Sequence, residues 1–150
     1  MSTIKPPHPL TIVGCPSPDA NTLDICSLYL SPVSAGFPSA AEDYIDSQIN
    51  LHELIVHNPA ATFFLRASGD SMLGVGIHDG DLLVVDRSLE ASHNRVVIAA
   101  LDGELLVKKL SRQGGRLLLK SANEGYPDFD ITEREYVHIW GVVSFVVHRL

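Results

Sequence analysis

The sequence predicts a mainly β domain with one short helix and an extended N-terminal arm. Three observations carry this expectation. From Ala61 onward, short aliphatic and β-branched runs follow one another, separated by turn pairs such as Asp79-Gly80 and Asp102-Gly103. Only the stretch 41–58 joins a capping signal to an apolar face. Seven of the nine prolines stand in residues 1–40, a density that forbids long helices and suits extended chain.

The chain therefore divides into an arm, 1–40, and a folded domain, 41–150. The arm holds strand-like pieces such as Ser27-Leu28-Tyr29-Leu30 and is too short and proline-rich for a helix-turn-helix domain. In the predicted helix Asn50 caps, Glu53 stands three residues on as in a capping box, and Leu51, Leu54 and Ile55 form the apolar face. Asn58-Pro59 ends it. The runs "ATFFLRAS" and "DLLVVD" read as strands, joined through a turn at His78-Asp79-Gly80. "RVVIAAL" and "ELLVKKL" flank Asp102-Gly103, the pair that a tight hairpin prefers. "GRLLLKS" follows, and "YVHIWGVVSFVV" closes the chain as two strands with a kink or bulge at Gly141.

The 150 residues are 45% hydrophobic, enough for one domain with a real core. A net charge of -7 argues against a protein whose main task is gripping phosphate backbones. The two cysteines, Cys15 and Cys26, match neither a metal spacing nor a disulfide framework and read as incidental reduced thiols. The opening "MSTIKPPHPLTIVGC" is neither a signal peptide nor an anchor, and no apolar run approaches the ~18 residues of a membrane span. The expectation is a soluble cytoplasmic protein without metal or cofactor.

Seven histidines raise the question of a metal. In "HELIVH" His52 and His57 are five apart, about 140° around a helix, and so face different ways. His8, His78, His93, His138 and His148 are scattered, and none pairs at ligand spacing. Gly74-Val75-Gly76 opens no helix and reads as a tight turn, not a phosphate loop. Ser71, near the end of the "FFLRASGDSM" stretch, lacks the second glycine of a nucleophile elbow, because Leu73 stands there. A Ser-His-Asp triad is assembled in space, and no particular histidine recommends itself as its base.

Two of the four lysines, Lys108 and Lys109, sit together inside the apolar strand "LLVKKL". Neighbours on a strand face opposite sides, so one of them faces inward, and periodicity does not say which. The plain reading is a lysine snorkelling at a sheet edge. The chemical reading is a buried amine, whose pKa falls until it can take a serine's proton.

Several further stretches carry a resemblance: "SAGFPSAAEDY" (34–44), "HNPAATFFLRASGDSM" (57–72), "GIHDGDLLVVDRSLEASH" (76–93), "DGELLVKKL" (102–110) and "IWGVV" (139–143). In these motifs, in their order and spacing, the chain resembles the UmuD/MucA family within the LexA-type self-cleaving Ser-Lys proteins. The resemblance covers roughly residues 34–147 and implies a peptidase domain of twisted antiparallel sheets. It implies Ser71 as nucleophile, Lys108 as general base and Ala35-Gly36 as the self-cleavage site. The backbone N–H groups around Asp70, Ser71 and Met72 would form the oxyanion hole. It further implies a homodimer, stimulation by a RecA–single-stranded DNA filament, and a UmuC-type Y-family DNA polymerase as partner in SOS mutagenesis. No specific DNA binding and no membrane are implied. The chain departs from the pattern at Gly74, where the family often has an acidic residue, and in its long proline-rich arm.

Rival readings are a non-catalytic module that regulates a polymerase, with Ser71 and Lys108 inert, and a LexA-like repressor. The missing DNA-binding domain weakens the second. A signal peptidase, also Ser-Lys, is disfavoured by the lack of an anchor.

Overall fold

The computed structural model describes residues 48–150 in full, the backbone of 11–14, 25–29 and 45–47, and Gly36. Ala35 and the thiols of Cys15 and Cys26 lie outside the described residues.

The described chain is built from β1 (Thr11–Gly14), β2 (Ile25–Tyr29), β3 (Ile45–Asn50), α1 (Leu51–Ile55), β4 (Thr62–Arg66), β5 (Leu82–Asp86), β6 (Val96–Leu101), β7 (Glu104–Gln113), β8 (Arg116–Lys120), β9 (Phe129–Asp130) and β10 (Val137–Val147). Eight strands form one sheet in the order β1-β4-β5-β10-β6-β7-β8-β9, and β2 pairs with β3. Every pairing is antiparallel. The mainly β expectation therefore holds, with the last strand, β10, inserted between β5 and β6.

The sheet is covered on both faces, which explains its unbroken apolar runs. Neighbours such as Val97 and Ile98 point to opposite sides and belong to different clusters. One cluster gathers Leu65, Met72, Leu83, Val85, Ile98 and Val107. The other gathers Val97, Leu110, Leu119, Ile131 and Val142. In β5, Leu83, Val84 and Val85 are consecutively buried. Burying each such side chain contributes about 1.5–3 kcal/mol before chain entropy is counted.

Three expectations need correction. The helix starts at its expected cap but stops short of Asn58-Pro59: α1 spans only Leu51–Ile55, and residues 45–50 before it pair with β2 as a strand. The cap is as expected, since Asn50 Oδ1 accepts the Glu53 N–H at 3.2 Å. The face expected to pack is mostly exposed, with Leu51 at 58% and Leu54 at 44% and only Ile55 partly buried. The final segment is one strand of 11 residues, not two. Register shifts at Ile139/Gly141 against β6 and at Val143/Phe145 against β5 let it bend without breaking. Gly141 is required at the first bulge, where a Cβ would lie 2.6 Å from Val85 Cγ1. Among the described residues no helix is long and apolar enough to cross a membrane.

Candidate active site

The segment after β4 leaves the sheet at Ala67 and returns at Asp81. Two backbone bonds close its base: Ala67 N–H donates to Asp81 O, and Gly80 N–H to Ala67 O, both at 2.8 Å. Gly69 adopts φ +91°, a conformation that favours glycine, and its N–H donates to Asp79 Oδ1 at 2.7 Å. Met72, 1% exposed, plugs into the core and fixes the turn. Ser71 stands beside that plug, half-buried and thus accessible. It lies in a turn five residues past the end of β4, not on the strand itself.

A second segment, after β8, is laced to this turn. Ala122 N–H donates to Ser71 O at 2.8 Å, and Gly74 N–H donates to Ala122 O at 2.6 Å. Asn123 Nδ2 donates to Asp70 O at 2.8 Å, and the Tyr126 hydroxyl donates to Asp70 Oδ1. Gly74 permits this approach, because a Cβ there would lie 2.5 Å from the Ala122 carbonyl oxygen. The departure noted at Gly74 thus has a steric cause in this chain.

Lys108 comes from β7. The β6–β7 hairpin turns through Asp102 (φ +51°) and Gly103 (φ +82°), the two left-handed residues of a type I′ turn. Its register sets Val97 opposite Lys108 and Val96 opposite Lys109. Lys108 is 4% exposed, whereas Lys109 is only partly buried and stands opposite Lys120. The inward lysine is therefore Lys108. Its Nζ donates to Ser71 Oγ at 2.9 Å and to Ser121 Oγ at 3.0 Å. Ser121 is held in turn, its hydroxyl on Pro127 O and its N–H on Asp128 Oδ1.

Burial lowers the Lys108 pKa from 10.5 to about 8, against the opposing pull of the Asp128 carboxylate. An appreciable fraction of the amine is neutral near physiological pH and can accept a proton from the hydroxyl 2.9 Å away. The structure thus brings Ser71 and Lys108 together across 37 residues of sequence. Gly36 lies exposed at a bend.

Comparison with known proteins decides the family. Residues 27–144 match the family model described as Peptidase S24-like. This chain belongs to the Peptidase S24-like family. Within the family it is 46% identical over 129 residues to Protein MucA of Salmonella typhimurium, covering 85% of this chain and 88% of that protein. It is 44% identical over 122 residues to Protein ImpA of Shigella flexneri, covering 81% and 83%. It is 34% identical over 108 residues to the LexA repressor of Idiomarina loihiensis, covering 72% of this chain and 52% of the repressor. The resemblance to the UmuD/MucA group is thereby established.

Sequence reasoning missed Ser121, Asn123 and Tyr126 as neighbours of an S24-type site. Their signal was weak: a Ser-Ala-Asn run after a strand looks like any polar loop. It also missed a meeting of histidines. His78 and His148, expected to be scattered, stack with ring centroids 4.3 Å apart. The cause is topological, since β10 runs antiparallel to β5 and pairs Val147 with Leu82.

Proposed function

We propose that this S24-family protein is an accessory of SOS mutagenesis that cleaves its own chain between Ala35 and Gly36. The observation that carries the reading is the 2.9 Å contact between a half-buried serine and a buried lysine of lowered pKa. Lys108 Nζ takes the Ser71 hydroxyl proton as Oγ attacks the Ala35 carbonyl carbon. Electrons move onto the carbonyl oxygen, which the N–H groups around Asp70, Ser71 and Met72 stabilise. Among the described residues, the Ser71 and Met72 N–H groups donate to no protein acceptor. Collapse of the intermediate breaks the C–N bond, and the proton on Nζ passes to the Gly36 amine. Water, deprotonated by Lys108, then hydrolyses the Ala35–Ser71 ester. The products are residues 1–35 and 36–150.

The tether replaces an encounter by an effective concentration, so no deep substrate pocket is required. A RecA–single-stranded DNA filament would favour the minor state in which the arm is docked. The trimmed chain, as a homodimer, would join a UmuC-type Y-family polymerase for synthesis past DNA damage. The net charge of -7 fits a protein partner better than direct specific DNA binding.

The test is incubation of the purified full chain at neutral and alkaline pH, with and without RecA filaments, followed by mass measurement of the fragments. A cut after Ala35, abolished by Ser71→Ala and by Lys108→Ala, is the expected result. A cut that survives either substitution removes the dyad. No cut under any of these conditions favours the binding-module reading.

A further inference from the structure

A second cluster of reactive side chains lies at the other end of the Ser71 loop. Asp81 stands just before β5, with its side chain 3% exposed. Its Oδ2 accepts the His78 N–H at 2.8 Å, and its Oδ1 lies 2.5 Å from His148 Nδ1. His78 Nδ1 is 3.7 Å from Oδ2. One ligand atom from each of the three residues falls within 4.8 Å of the others.

We propose that His78, Asp81 and His148 form a binding site for a divalent transition-metal ion of the zinc class. Two imidazole nitrogens and one carboxylate oxygen suit such an ion, whereas magnesium and calcium prefer all-oxygen sets. Zinc bonds to nitrogen and oxygen are about 2.0–2.2 Å. Donors around one ion must therefore stand a little over 3 Å apart, and the observed separations bracket that spacing. The carboxylate is the fixed member, buried and held by the His78 N–H. The imidazoles are the adjustable members, 48% and 37% exposed and able to turn out of their stack. The two imidazoles meet the carboxylate unequally: His148 Nδ1 lies at hydrogen-bond distance from Oδ1, whereas His78 Nδ1 makes only the longer 3.7 Å contact with Oδ2 and has room to shift toward a shared ion. With three protein donors, the fourth position stays open to water. The ion would join the loop bearing Ser71 to the end of β10.

The test is isothermal titration of untagged full-length protein with zinc chloride, and with magnesium chloride as a control. The site lies within residues 36–150, so self-cleavage would not remove it. One saturable zinc site is expected, with no magnesium site. His78→Ala and His148→Ala should each weaken zinc binding by about tenfold or more, while His138→Ala, at an exposed position on β10, leaves it unchanged. Both histidines are partly exposed, so their removal should leave the fold intact, which circular dichroism verifies. No saturable zinc binding by the wild type overturns the proposal, as does unchanged affinity in either His78→Ala or His148→Ala.

Discussion

The Gly74 N–H donates to the Ala122 carbonyl at 2.6 Å, and a Cβ on Gly74 would lie 2.5 Å from that same oxygen. This contact, with Ala122 N–H on Ser71 O, fixes the Ser71 turn against the loop that carries Ser121. Gly74→Ala must push the two loops apart. We expect a loss of about 1–3 kcal/mol of stability, read as a lower urea midpoint, and self-cleavage slowed by more than that loss explains. Wild-type cleavage by a stably folded Gly74→Ala chain would show that the lacing is dispensable.

If Lys108 is the base, as proposed, its lowered pKa should set the pH dependence of cleavage. The base acts as a neutral amine, so the rate should climb about tenfold per pH unit below its pKa and level off above about pH 8. Single-turnover rates from pH 6 to pH 10 check this. A profile that levels off below pH 7 would mean that another group is the base.

The same burial carries a stability cost. Lys108 has a pKa of about 8 in the folded chain and 10.5 as its ordinary value. The unfolded state therefore binds more protons between these values, and stability should rise with pH across that window. Below about pH 8 the cost is fully present. Lys108→Met removes the charge while keeping most of the volume. We expect this variant to be inactive, more stable than wild type at pH 7 by about 1 kcal/mol or more, and without the rise between pH 8 and pH 10. Urea denaturation at both pH values measures the effect. Equal stability at pH 7 would mean that the ammonium is better solvated than its 4% exposure indicates.

Ser121 touches Lys108 but, in the proposed mechanism, not the scissile bond, so it acts as a positioning residue. Ser121→Ala should slow cleavage by about fivefold, the order of one hydrogen bond of about 1 kcal/mol. Ser121→Thr keeps the hydroxyl and should restore most of the rate. A purely structural role would make both variants slow in proportion to their lost stability.

Much of the fold was legible in sequence because turn chemistry punctuates it. Asp79-Gly80 and Asp102-Gly103 sit where the chain reverses, and the strands between them were read almost to the residue. The region 41–58 misled because Asn50, a sound cap, lies at the junction of a strand and a helix of one turn. Local signals find the cap and mark Ser27-Leu28-Tyr29-Leu30 as strand-like, but not that β2 pairs with residues 45–50, about twenty residues away. The final apolar run looked like two strands because a glycine interrupts it. A bulge keeps the ladder going past Gly141. At the site, Ser71 and Lys108 were legible through family motifs, whereas alternation alone left Lys108 and Lys109 equivalent. The structure shows why: Leu106, Val107 and Lys108 are buried in succession, so both faces of β7 are interior and no polar side exists to break the tie. The meeting of His78 with His148 was invisible, since it depends on where β10 inserts.

The Asp102-Gly103 turn lies far along β7 from Ser71, yet it decides which amine meets the hydroxyl. Two left-handed residues close the hairpin with Leu101 opposite Glu104, and every later pair is counted from there. Add one residue to the loop, or remove one, and the place opposite Val97 passes from Lys108 to a neighbour, Val107 or Lys109. The reactive centre is thus indexed from a distance, like a tooth on a ratchet, and a two-residue reversal works as its zero mark.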